Sequence, residues 1–123
     1  MEQGGGRRIV HDEVPVQRSP SGLVIRHLVT EREGATVLFV GEQWFEPGDE
    51  VPRHTHPVEE VLTFLAGEGE ATLGDEQVAI GAGVSLYVPP GLVHGFRCTG
   101  GETLRVLVVF PTPRFAETTV VED

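Results

Sequence analysis

Glycine and proline interrupt this chain at short, nearly regular intervals, and this spacing restricts its fold more than any other feature. Sixteen Gly and nine Pro are spread over 123 residues, in turn-like stretches such as EPGDE, AGEGE, LGDEQ, VPPG and TGGE. The segments between them are rich in Val, Leu, Thr and aromatic residues, and none shows a sustained helical apolar period. Short apolar segments with turn signals about 8–12 residues apart are typical of an all-β sandwich or barrel.

Eight segments are predicted to be strands: 22–30, 36–45, 59–66, 69–74, 77–80, 84–88, 93–98 and 103–110. So many strands favour a closed or double-sheet arrangement, which leaves few unpaired edges. Because 123 residues suffice for one compact domain and not for two, we predict a single domain over 1–123, with a barrel core at about 22–110 and terminal arms. Residues 1–8 and the acidic end, 116–123, are expected to fray, and we assign the acidic end no role.

Charge and cysteine content limit the partners and the location that we expect. Nine Lys and Arg against nineteen Asp and Glu give a net charge of -10, which repels phosphate backbones and anionic lipid surfaces. We therefore predict neither a nucleic-acid nor a membrane partner, and no apolar run approaches the ~20 residues that span a bilayer. Cys98 has no second cysteine with which to pair, and MEQGGGRRIV lacks the apolar centre of a secretion signal. Together these features predict a cytoplasmic protein.

The stretch HTHPVEE, residues 54–60, concentrates groups that can bind a metal. Because side chains alternate faces along a strand, His54 and His56 point the same way, and Glu60 shares their parity if the turn between them preserves it. Glu59 is the alternative carboxylate, since a bulge would reverse that parity. Spacing and parity favour Glu60. Without a metal, the same residues would be surface or hydrogen-bonded strand residues.

A second segment, GVSLYVPPGLVHGFRC, ends a strand in a Pro-Pro-Gly turn and opens the next strand at His94. Imidazole nitrogens and a carboxylate oxygen gathered from two segments suit divalent Fe, Mn, Ni, Co or Zn.

The two segments also fit two spacing patterns. Gly48, His54, His56, Glu60 and Gly67 fit the first, which reads Gly, five residues, His-x-His, three or four residues, Glu, six residues, Gly. Gly83, Pro89, Gly91 and His94 fit the second, which reads Gly, five residues, Pro-x-Gly, two residues, His, three residues, Asn. Cys98 stands in place of the Asn.

These two motifs, in this order, resemble those of the cupins, and the resemblance covers residues 36–110. It implies a jelly-roll β-barrel, also called a double-stranded β-helix. It also implies that His54, His56, Glu60 and His94 bind one divalent metal ion inside the barrel, and that the protein forms a homodimer. The short hairpin between the motifs is similar to that of small single-domain bacterial cupins.

Four further positions share strand parity with the predicted ligands or with the barrel interior. Phe64 and Phe96 are interpreted either as walls of a pocket around the metal or as plain core. Cys98 shares the parity of His94 and is the third residue predicted at the pocket, where a buried, inert side chain is favoured over a reactive or ligating thiol. His27 is interpreted as a structural residue, with a base near the metal as the alternative.

Four protein ligands leave about two positions open on an octahedral metal, which is typical of a catalytic site rather than a closed structural one. We therefore predict a metal-dependent enzyme, a dioxygenase-type oxidoreductase acting on a small organic molecule. In this hypothesis Glu60 is also catalytic, as a general base. The alternatives are a non-redox isomerase or lyase using the same site, and a small-molecule binding or sensing module without turnover.

Overall fold

The computed structural model describes residues 5–121; residues 1–4 and 122–123, which belong to the ends expected to fray, lie outside the described residues. The strands are β1 (Val16–Arg18), β2 (Val24–Val29), β3 (Phe39–Phe45), β4 (Glu50–Thr55), β5 (Glu60–Ala66), β6 (Glu68–Leu73), β7 (Glu76–Gly81), β8 (Ser85–Val88), β9 (His94–Cys98), β10 (Leu104–Phe110) and β11 (Thr119–Val120). Two 3-10 turns, His11–Glu13 and Glu31–Glu33, flank β1 and β2. No helix in the described part of the chain is long and apolar enough to cross a membrane.

The strands form two antiparallel sheets that face each other. One sheet has the order β1-β2-β3-β10-β5-β8, and the other has the order β11-β4-β9-β6-β7. Apolar side chains from both sheets meet in one core, which includes Phe39, Phe45, Leu62, Phe96 and Val108. The predicted all-β jelly-roll fold, or double-stranded β-helix, is confirmed.

Each of the eight predicted strands coincides with an observed strand, and its ends differ by three residues at most. The alternation on which the prediction relied is clearest in β10, where Leu104, Val106, Val108 and Phe110 are buried and the residues between them are half-buried. Because successive side chains of a strand point to opposite faces, this pattern marks one face as core.

Strand β4 is absent from the eight predicted segments, although the parity argument treated its histidines as extended. Glu50, Pro52 and Arg53 have little intrinsic preference for strands, so the pairing of β4 with β9 and β11 determines its conformation. The backbones of β4 and β9 approach closely where Gly95 faces Val51, because a Cβ at Gly95 would lie 2.7 Å from the Val51 carbonyl oxygen.

Residues 116–121, the described part of the acidic end, contradict the expectation that this end frays and has no role. Ala116 is buried in the core, and β11 pairs with β4 through Thr119 opposite Thr55 and Val120 opposite His54. The Val121 N–H also donates to the Arg53 carbonyl at 2.9 Å. The cause is the free edge of β4, whose unpaired backbone groups gain partners when the end of the chain folds back along it.

Candidate metal centre

Four side chains from both sheets converge between them. His54 lies near the end of β4, His56 just beyond it, Glu60 is the first residue of β5 and His94 the first residue of β9. Their exposed fractions are 7, 3, 4 and 2%, in that order along the chain. One nitrogen or oxygen atom from each lies within 4.8 Å of the corresponding atom of every other. The structure thus brings together the four residues that the sequence analysis selected as ligands.

A backbone carbonyl orients each of the three imidazoles through its Nδ1 atom. The Nδ1 atoms lie 2.7 Å from the Pro52 oxygen for His54, 2.8 Å from the Glu117 oxygen for His56 and 2.9 Å from the Leu92 oxygen for His94. Because a carbonyl oxygen can only accept, the hydrogen is on Nδ1, and in the neutral ring Nε2 carries a bare lone pair. All three rings are therefore set in the tautomer that can bind a metal through Nε2.

The bare lone pairs face one another at short distances. The Nε2 atoms of His54 and His56 are 3.1 Å apart, and His94 Nε2 is 2.9 Å from Glu60 Oε1. Glu60 Oε1 is also 3.5 Å from His56 Nε2. Acceptors at these distances repel each other unless a proton or a cation lies among them.

Burial disfavours protonation of the histidines in this cluster, so a metal cation is better suited than a proton to offset the repulsion between the acceptors. Desolvation lowers the pKa of His54 from 6.5 to about 4, although its bond to the Pro52 carbonyl acts in the opposite direction. Burial likewise lowers the pKa of His56. Three nitrogen donors and one carboxylate oxygen form a set that divalent first-row transition metals and zinc accept, so the residues present fit a bound divalent metal.

The two neighbouring glutamates have opposite orientations. Glu60 is buried and lines the cavity beside the histidines. Glu59 is exposed, and its Oε1 accepts a hydrogen bond of 2.9 Å from the Tyr87 hydroxyl. The strand parity expected from the sequence is therefore preserved through the turn, and it is Glu60 that faces the cluster.

The cluster opens into a cavity of about 150 Å³. Apart from the four clustered residues, its walls consist of Pro20, Ser21, Gln43, Val51, Pro52, Leu62, Phe96, Phe115, Thr118 and Val120. Most of these are apolar, and none of the described lining residues is a lysine or an arginine. Small-molecule sites are commonly built in this way, from apolar walls and a few placed polar groups.

The three residues predicted at the pocket occupy different positions in the structure. Phe96 lines the cavity. Phe64 lies behind it in the core, with its ring edge-to-face with that of Phe96 at a centroid distance of 5.5 Å. Cys98 is buried, and its thiol donates to the Glu102 carbonyl at 3.2 Å. Phe64 and Cys98 are thus not among the described residues that line the cavity, which favours plain core for Phe64 and a buried, inert thiol for Cys98. Parity places both inside, but each lies four residues along its strand from a clustered residue, roughly 13 Å at strand spacing.

His27 lies outside the set of described residues that line the cavity. Its ring packs edge-on against Phe39 at a centroid distance of 5.0 Å. A register shift between His27 and Val29 turns Leu28 into the core instead. This placement favours the structural interpretation of His27 over a role as a base near the metal.

Several lining residues were not predicted from the sequence. Gln43 could have been found, because it is a polar residue at an inward position between Gly41 and Phe45 on β3. Phe115 and Thr118 gave no such signal, because they belong to a terminal segment without the apolar alternation that predicts a strand. Thr118 reaches the site next to β11, which pairs with β4, and Phe115 reaches it by packing edge-on against Phe39 and Phe110.

The chain is similar in sequence to two known proteins and in structure to a third. Protein SchB of Streptomyces halstedii is 32% identical over 108 residues, covering 87% of this chain and 78% of that protein. Polyketide synthase CurC of Streptomyces cyaneus is 29% identical over 96 residues, covering 77% of this chain and 62% of that protein. The solved structure of the polyketide cyclase RemF from Streptomyces resistomycificus superimposes with a TM-score of 0.83 at 26% identity, covering 97% of this chain and 87% of that one.

The family model for the cupin domain matches residues 41–110, more than half of the chain. The matched region begins within β3 and ends with β10, and it contains all four clustered residues. By this match, and by the extent of its similarity to SchB, the protein is a member of the cupin family.

Proposed function

We propose that this protein is a metal-dependent enzyme that acts, without net oxidation or reduction, on a small molecule rich in carbonyl groups and of polyketide type. The observation that carries the proposal is the buried His54, His56, Glu60 and His94 cluster on the wall of a largely apolar cavity. The names of two relatives add support, since RemF is described as a polyketide cyclase and CurC as a polyketide synthase.

A divalent ion held by the four clustered residues would supply Lewis-acid polarisation of a carbonyl or enolate oxygen. The protein's own contribution begins with orientation, because the carbonyls of Pro52, Leu92 and Glu117 hold the imidazoles with Nε2 towards the cavity. The apolar walls keep bulk water from the reacting carbonyl, which strengthens electrostatic interactions there.

Glu60 has a second role in this proposal. Its carboxylate lies on the cavity wall beside three imidazoles, where it can accept a proton from the carbon next to a substrate carbonyl. Proton transfer to a positioned carboxylate is general base catalysis. The deprotonated carbon bonds to a second carbonyl carbon of the substrate, whose C=O π bond breaks, and Glu60 returns the proton to that oxygen, so that the carboxylate is regenerated. The new hydroxyl then leaves as water with a second proton from the attacking carbon.

The test compares two neighbouring substitutions, Glu60→Gln and Glu59→Gln. Wild type and Glu59→Gln should contain close to one metal ion per chain by elemental analysis, and Glu60→Gln should contain much less. The metal-loaded wild type should accelerate the ring closure of 2,4,6-heptanetrione, a linear triketone that loses water to form a ring, as followed by NMR. Equal metal content in all three proteins, or no acceleration by the loaded wild type, would contradict the proposal.

A dioxygenase is the second candidate, and the same set of donor atoms is compatible with it. Four protein ligands leave about two positions on an octahedral ion, enough for a substrate and O2 together. Consumption of oxygen by the iron-loaded protein with small diketones or phenols would support this candidate. A binding or sensing module would instead retain such molecules without changing them.

Homodimer formation, implied by the cupin resemblance, stays a prediction. Leu38, Leu65 and Tyr87 are exposed on the six-stranded sheet and the loop that leads into it, and apolar groups of this kind are commonly covered in oligomers. Light scattering coupled to size exclusion would measure the mass directly. A cytoplasmic location is likewise a prediction, which cell fractionation would test.

A further inference from the structure

The cavity contains a buried amide that neither the metal cluster nor the core uses. Gln43 lies on β3, is 5% exposed and lines the cavity together with the four clustered residues. Its neighbour Glu42 points to the opposite face of the sheet, where Arg105 and His11 pair with its carboxylate. Because side chains alternate along β3, Glu42 lies on the outer face of the sheet with its ionic partners, and Gln43 points inward to the cavity.

The Gln43 side chain makes no hydrogen bond with any of the residues 5–121. The residues opposite it in register are Ile25 on β2 and Val106 on β10, and both have aliphatic side chains. Yet no buried polar side-chain atom in this part of the protein is both sealed from solvent and without a partner. The amide of Gln43 is therefore open to the cavity, where it can bind a ligand.

The chemistry of the cavity restricts what this ligand can be. An amide offers one acceptor and two donors and carries no charge. No lysine or arginine is among the described lining residues, so an anion would find no cationic side chain there. Away from the metal cluster, apolar walls with one neutral donor and acceptor favour an uncharged part of the ligand that carries a carbonyl or hydroxyl oxygen.

We propose that Gln43 orients the substrate: one oxygenated end lies at the His54, His56, Glu60 and His94 cluster, and a second carbonyl or hydroxyl oxygen, further along the molecule, binds the Gln43 amide. This inference rests on the proposed function, because it needs the metal-bound end. It narrows the substrate class to molecules with oxygens at both ends of an otherwise apolar chain or ring, in which the end at Gln43 is uncharged. Gln43 is thus a specificity-determining residue.

The test uses two probes with the same carbon chain, 2,4,6-heptanetrione and 2,4-heptanedione. They share the diketone end that can reach the cluster, and only the first has the distal carbonyl. Calorimetry with the zinc-loaded wild type, at a temperature at which NMR shows the trione intact for the length of the titration, should show roughly tenfold tighter binding of the trione, the effect of about one good hydrogen bond. Gln43→Met, which keeps the length of the side chain without the amide, should bind both probes equally.

The control is Gln77→Met, because Gln77 is exposed and bonds to Thr72 outside the cavity. It should keep the preference for the trione. A second readout on the wild type is the side-chain N–H2 resonance of Gln43, which should shift with the trione and not with the dione; this result decides the matter even if Gln43→Met fails to fold.

Two results would overturn the role of Gln43 while leaving the proposed function intact. The first is an equal affinity of the zinc-loaded wild type for the two probes, and the second is a preference that survives in Gln43→Met. Zinc content is measured before the titrations, so a wild type that takes up no zinc is recognised separately as a failure of the proposed function itself.

Discussion

The imidazole of His56 is held by the backbone carbonyl of Glu117, which lies 61 residues further along the chain and 2.8 Å from His56 Nδ1. The next residue, Thr118, lines the cavity, and its hydroxyl is 3.3 Å from the same nitrogen. The other two imidazoles bond to carbonyls only two residues away, in Pro52 and Leu92. The C-terminal segment is therefore part of the site and orients one of its ligands.

Ending the chain at Phe115 should weaken metal binding about 10- to 100-fold, because residues that orient metal ligands commonly have effects of this size. A chain ending at Val121 keeps both Glu117 and β11 and should bind like the wild type. Competition with a chromophoric chelator measures the affinity, and circular dichroism checks that both chains are folded. Equal affinities in two folded chains would mean that the Glu117 carbonyl does not matter for binding.

His94→Ala should abolish metal uptake at neutral pH and leave a folded β protein. The reason is that His94 contributes one of the clustered donor atoms, whereas the core is built from apolar residues such as Phe45, Leu62 and Val108. His27→Ala, in which the lost imidazole lies outside the described cavity lining, should keep its metal. Elemental analysis and circular dichroism give the two readouts. An unfolded His94→Ala protein would show that the centre is also needed for folding.

The metal-free protein should lose stability as the pH falls from about 6.5 towards 4. Burial lowers the pKa of His54 in the folded protein from 6.5 to about 4, so within this window the unfolded chain takes up a proton that the folded chain does not. Stability then rises with pH, by at most about 1.4 kcal/mol per pH unit for one proton, and is level above the unfolded pKa. Urea unfolding at several pH values measures the slope, which should be smaller in His54→Gln.

Gly95→Ala should lower the free energy of unfolding by about 1–3 kcal/mol, the usual cost of forcing extra atoms into a packed site. The added Cβ would lie 2.7 Å from the Val51 oxygen and 3.1 Å from the Arg53 nitrogen, so β4 and β9 must separate. Gly101→Ala is the control, since no atom lies within 4 Å of its Cβ position. Urea denaturation compares the two variants. Equal stabilities would mean that the close approach of the strands is not tight in solution.

Cys98 should be unreactive towards a thiol reagent in the folded protein and should react once urea unfolds the chain. It is 3% exposed, and its thiol donates to the Glu102 carbonyl. Cys98→Ala should therefore keep its metal and lose a little stability. Rapid labelling of the native protein, or loss of metal from Cys98→Ala, would bring back the reactive or ligating thiol as an interpretation.

The strands and the four clustered residues could be predicted because their signals are local. Turn residues mark where strands end, and the alternation of side chains along β5 places Glu60, Leu62 and Phe64 on one face. The same alternation separated Glu60 from Glu59, which binds Tyr87 on the outside. Parity says which face a residue occupies but not how far along the barrel it lies, so it could not tell Phe96 on the cavity wall from Phe64 behind it.

The sequence by itself therefore determined the all-β fold, the family resemblance and the identity of the four clustered residues, since each depends on spacing within a short segment. Only the tertiary structure decided that the carbonyl of Glu117 orients His56, that β11 closes one side of the cavity and that Gln43 faces it without a partner among residues 5–121. These features depend on which strands pair and in what register. Such pairing joins residues far apart in the chain, and no local pattern specifies it.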